Sequence, residues 1–225
     1  MAALRLLLPL GILLASVSYA QDRPNNERPP IRAAFESDQV RVRRVQLAPG
    51  ERTEIRDHPD ALLIPFTADL EGNVPLDDVT FHMTGTTTLE NQAATPFAGI
   101  LVELIAPPSD TPAFLPPEVA AERVPRYSPV YRREGHRVRT IVDNSRVLVT
   151  IHRLPAWQPR TEPKHWHSRE MVLVYLASGE IKGSAGRLGA RRVRRGDFDV
   201  LPAKVPHAFD NVGNDPIEFL MITPK

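Results

Sequence analysis

Two stretches decide the reading of this chain: HWHSREMVLVYLASGEIKG, from His165 to Gly183, and GDFDVLPAKVPHAFDN, from Gly196 to Asn211. Side chains at i and i+2 of a strand share a face. His165 and His167 can therefore point together into an interior while Trp166 points away. Gly196 closes an Arg-rich strand, and Pro202 closes the strand DFDVL. Val205-Pro206 then gives His207 a restrained approach, because the residue before a proline is held extended. Three neutral imidazoles meeting at one point would suit Fe, Mn, Zn, Ni or Cu better than the hard, oxygen-seeking cations.

Outward from these stretches the chain reads as short β-prone runs divided by Gly and Pro. Gln39–Leu47 alternates apolar and charged residues, and Pro49-Gly50 turns it. Ala61–Phe66, Phe97–Ile105, Arg146–Leu154, Met171–Leu176 and Glu218–Ile222 have strand length and strand composition. With 23 Pro, no Cys, 42% apolar and 24% charged residues, the chain is expected to be an all-β globular protein. The absence of Cys excludes disulfide scaffolds, zinc ribbons and thiol nucleophiles. One short helix is expected at Pro117–Arg123. The sequence also repeats itself. SDQVRVRRVQLAPGE, from Ser37, matches NSRVLVTIHRLPAWQ, from Asn144. TTTLENQAATPFAGILVEL, from Thr86, matches VPHAFDNVGNDPIEFLMI, from Val205, with Asn91 against Asn211 and Pro96 against Pro216.

The two quoted stretches resemble the paired motifs of the cupin superfamily, strongly over about residues 140–225 and weakly, through the repeat, over 33–106. Lys204 stands where the second motif has Gly. The resemblance implies two double-stranded β-helix barrels in tandem, a bicupin whose N-terminal copy is degenerate. It implies a divalent transition metal on His165, His167 and His207, and a metal-dependent dioxygenase or isomerase acting on a small organic substrate. A non-catalytic small-molecule-binding or structural module is the alternative. The acidic ligand of the first motif would fall at Met171 or Val172. Glu170 stands early, and a bulge would bring it inward as a ligand or proton-moving catalytic group. Without that bulge the site has three His and open positions. In the first half, Arg56 replaces the first His, His58 remains, and Thr87 stands where His207 lies, so that half is read as structural or as a metal-free pocket.

Met1–Ala20 has the charged start, apolar run and small-x-small end of a secretory signal peptide. The expected organisation is signal 1–20, flexible leader 21–32, degenerate cupin-like barrel 33–106, Pro-rich connection 107–139 and metal-site barrel 140–225. Removing the signal takes away Arg5 and no acidic residue, which leaves no net charge to attract nucleic acid or anionic lipid. A secreted or periplasmic protein, off the membrane after cleavage and pairing as a homodimer through strand edges, is the expectation. His152, Phe198, Phe209, Trp166 and Tyr175 are read as packing, and Arg191, Arg192, Arg194 and Arg195 as a solvated strand face.

Overall fold

The computed structural model describes residues 29–66, 79–108, 136–156, 167–183, 189–207 and 209–225. The signal segment, the helix expected at 117–123, most of the 107–139 connection, His165 and Trp166 lie outside them. Fifteen strands and no helix make up the described residues. The first half holds β1 (Ile31–Glu36), β2 (Val40–Leu47), β3 (Arg52–His58), β4 (Ala61–Pro65), β5 (Thr80–His82), β6 (Gly85–Glu90) and β7 (Phe97–Leu104). The second holds β8 (Arg137–Asp143), β9 (Val147–Leu154), β10 (Met171–Tyr175), β11 (Gly179–Gly183), β12 (Gly189–Val193), β13 (Phe198–Leu201), β14 (Phe209–Asn211) and β15 (Ile217–Pro224). Ile31 and Arg32, expected as leader, open β1, and the expected connection gives up its last residues to β8.

A five-stranded antiparallel sheet anchors each half, in the order β1-β2-β7-β4-β5 in the first and β8-β9-β15-β10-β13 in the second. In both orders the first two strands of the half are followed by its last. Smaller sheets, β3-β6 and β12-β11-β14, complete the halves. Period-two alternation gives every central strand two apolar faces. Val45, Leu47, Ala61 and Leu101 face Ile55 and Leu89 inside the first half. Leu154, Met171, Leu173, Ile217 and Phe219 face Ile181 and Val193 inside the second. The opposite faces of the two large sheets pack on each other. Val40, Val42, Leu62, Ile64, Ile100, Val102 and Leu104 meet Val147, Val149, Ile151, Val172, Val174, Leu176, Leu220 and Ile222 in one buried cluster.

Equivalent turns use equivalent chemistry. Asn91 Nδ2 donates to the carbonyls of Leu47 (3.1 Å) and Thr95 (2.8 Å), and its Oδ1 accepts from the Ala93 amide (3.1 Å). Asn211 Nδ2 donates to the carbonyls of Pro155 and Asp215 (both 2.8 Å), and its Oδ1 accepts from the Gly213 amide (3.0 Å). Each buried amide thus ties the end of one strand to a loop four residues further along the chain.

Polar side chains pin the seam between the halves. Arg146, in the turn before β9, donates Nε to Asp60 Oδ2 (2.6 Å) and Nη2 to the carbonyls of Leu104 and Ala106 (both 3.0 Å). From the matching turn before β2, Gln39 Oε1 accepts from the Glu170 amide (3.0 Å), and the Ser37 hydroxyl donates to Glu170 Oε2. Asp60 and Glu170 each directly precede a matching strand, β4 and β10.

Candidate functional site

His167 lies just before β10 and His207 just before β14, and both are buried. Their rings stack with centroids 4.8 Å apart. The turn that follows β13 brings them together, because the Lys204 amide donates to the His167 carbonyl at 2.7 Å. Lys204 takes φ +60° to do so, the left-handed conformation in which a side chain is strained and glycine is not. His207 Nδ1 lies 2.9 Å from the Val205 carbonyl. A carbonyl only accepts, so Nδ1 carries the proton and Nε2 the lone pair. Backbone support of this kind orients metal-binding imidazoles in general. The donor set therefore fits a transition metal: buried imidazoles, side by side, one with its tautomer fixed for ligation through Nε2. Among the described residues no three His, Asp or Glu stand so as to hold an ion, and His165, the expected third donor, is outside them.

Glu170 sits elsewhere in the chemistry of the fold. Its backbone is bound by Gln39 and its carboxylate by Ser37, both from the first half. From Met171 onward β10 runs in register with β13, Met171 standing opposite Leu201.

The interior below the imidazoles is aromatic and carries a charged network. Phe209 lies 6.0 Å from His207 and 6.5 Å from Phe219, which stacks on His152 at 5.2 Å. Tyr175 donates its hydroxyl to Asp199 Oδ2 at 2.6 Å, and Arg191 pairs with the same oxygen while lying over the Tyr175 ring. Burial first, then the charge and hydrogen bond of Asp199, push the Tyr175 hydroxyl far above its usual range, so it stays a donor. Burial, and then the charge of His136, hold His152 down to about 3. A neutral His152 contacts Thr150 Oγ1 (2.9 Å) and His136 (3.2 Å). Arg191 was expected on a solvated face. The signal that could have found it is its parity with Val193, two residues on along the same strand.

In the first half the corresponding residues also meet. His58 Nδ1 lies 2.6 Å from the Pro59 carbonyl and Nε2 2.7 Å from Thr87 Oγ1. The carbonyl fixes the proton on Nδ1, so Nε2 accepts from Thr87, and both nitrogens are spent within the protein. Arg56 is exposed and paired with Glu54.

A family model described as a cupin domain matches residues 156–223. No curated protein matches the chain. Among solved structures, it is similar to a Cupin 2 conserved barrel domain protein from Leptotrichia buccalis, with 18% identity, 87% of this chain and 88% of that one covered, and TM-score 0.50. Salicylate 1,2-dioxygenase from Pseudaminobacter salicylatoxidans is similar at 14% identity, 84% and 72% coverage, and TM-score 0.55. Oxalate decarboxylase from Lactobacillus farciminis is similar at 16% identity, 83% and 77% coverage, and TM-score 0.54. The chain thus has an all-β cupin fold, with a cupin domain match over its residues 156–223.

Proposed function

We propose that this chain is an exported bicupin whose second half binds one divalent transition metal through His165, His167 and His207. In this reading the first half is a copy that has lost its ligands, Thr87 having taken the place of the third histidine. The observation that carries the proposal is the buried, stacked His167–His207 pair, with His207 Nδ1 committed to a backbone carbonyl. A metal held there supplies Lewis acidity at positions left open to a small ligand. The chain's own part is to orient and to exclude water. Phe209 and Phe219 make the interior apolar, and the Tyr175–Asp199–Arg191 network holds a cation in a fixed place along it. The likeness in fold to a dioxygenase and a decarboxylase of small carboxylates favours a small organic substrate and metal-dependent oxygenase chemistry. Glu170, spent on Ser37, is assigned to the seam rather than to proton transfer.

The test is metal analysis after purification without chelator and reconstitution with Fe, Mn, Ni, Cu and Zn. Close to one ion per chain is expected, and a His167→Ala/His207→Ala double variant should retain none. A wild type that holds no ion under any condition ends the proposal. Oxygen uptake by the iron-loaded protein with phenols, diketones and thiols then separates an enzyme from a binding module, which would stay silent.

A further inference from the structure

A second polar cluster lies inside the first half and owes nothing to the histidine pair. Glu103 of β7 is fully buried. Its Oε2 accepts from Arg41 Nη1 and Arg43 Nε, both at 3.1 Å. Its Oε1 is equally buried and has no hydrogen-bond partner. Native proteins rarely leave a buried carboxylate oxygen in that state. On the next strand Ala61 stands in register with Glu103 on one side and with His82 of β5 on the other. His82 Nε2 is the second buried atom here without a partner. Burial holds His82 below the usual imidazole range, so it is neutral. Ala61, with its single methyl group, is thus the cross-strand neighbour of both residues. Arg43 gives Glu103 its Nε, and its side chain is 28% exposed. The outer edge of that guanidinium therefore borders the cluster and has the fork that suits a carboxylate.

We propose that the first half binds a small hydroxy acid at this cluster. The ligand's hydroxyl donates to Glu103 Oε1, its carboxylate docks on the outer edge of Arg43, and His82 Nε2 meets a further oxygen. A plain carboxylic acid leaves Glu103 Oε1 unmet, and a polyol leaves Arg43 unmet. Both are therefore poorer ligands, because a buried group left without its partner is what discriminates between near-identical ligands.

Calorimetric titration of the full chain with glycolate, malate and tartrate, beside acetate, succinate and butanetriol, tests this. At least one hydroxy acid should bind about tenfold or more tightly than its plain acid. Glu103→Gln should erase that preference. Arg43→Gln, at a partly exposed position, should weaken hydroxy acids and plain acids alike by about tenfold or more, because both dock their carboxylate there, and it keeps the test open if Glu103→Gln fails to fold. Binding should persist in His207→Ala and in chelator, which separates this site from the proposed metal centre. Equal binding of hydroxy and plain acids by the wild type overturns the proposal. So does hydroxy-acid binding that is lost in His207→Ala or unchanged in Arg43→Gln.

Discussion

Lys204 is the residue that sets His167 and His207 against each other, and it does so in a conformation that disfavours its own side chain. A left-handed non-glycine residue costs roughly 1–2 kcal/mol, while glycine adds about 0.5–1 kcal/mol of unfolded-state entropy. Lys204→Gly should therefore stabilise the protein by roughly 0.5–1 kcal/mol in urea unfolding, with the metal content unchanged. A loss of stability would show that the exposed lysine makes a contact outweighing its strain. At this scale the sequence was most legible where spacing dictates chemistry. His167 and His207 meet as their motif spacing implies, and Asn91 and Asn211 perform the same task at matched positions. Less legible were residues whose role depends on a partner far along the chain. Glu170 is answered by Ser37, and Arg191 turns inward only because Asp199 and Tyr175 await it.

At the scale of elements, the seam pins divide into two matched sets, Arg146–Asp60 and Gln39/Ser37–Glu170. Burial pushes the Asp60 carboxyl up, but the Thr84 amide and hydroxyl and the Arg146 guanidinium more than offset this and hold it below its usual value. A carboxyl depressed in the folded state stabilises above its unfolded pKa, about 3.9, and that contribution is lost as pH falls through the folded value. Asp60→Asn should thus be less stable than wild type near neutrality, and the gap should close in strong acid. A gap that widens on acidification would refute the sign. Glu170→Ala should cost about 1 kcal/mol through the lost Ser37 bond, the Gln39 bond to its backbone amide remaining, while the metal content stays that of the wild type. Metal loss at unchanged stability would return Glu170 to the proposed metal site. Central strands such as β2, β7, β9, β10 and β15 were readable because two apolar faces or strict alternation mark them. The edge strands β1 and β8 were not. Each carries a register shift, at Ala33/Phe35 and at Thr140/Val142, which breaks the period that sequence reading relies on.

For the whole molecule, the cluster between the two large sheets outweighs every polar contact across it. It is built from seven side chains of one half and eight of the other. At roughly 1.5–3 kcal/mol per buried aliphatic side chain, it contributes on the order of tens of kcal/mol, against about one for each polar pin. The pins set the angle at which the halves meet, and the apolar cluster holds them there. Thermal unfolding should therefore be a single cooperative transition, in which the calorimetric and van't Hoff enthalpies agree. Two separable transitions would mean that each half stands alone. This joint core was only partly visible in the sequence. The apolar runs announced strands, but nothing local says that the second covering for each sheet is the other half of the same chain.

That division has a consequence for how the protein comes to exist. The outward face of the first half, with Val42, Ile64 and Val102 among its residues, is not fully covered until β15 leaves the ribosome. At ordinary synthesis rates this takes on the order of ten seconds. During that interval the nascent chain presents an uncovered apolar sheet face, so its yield in a cell should depend on how well that face is shielded until its own second half arrives.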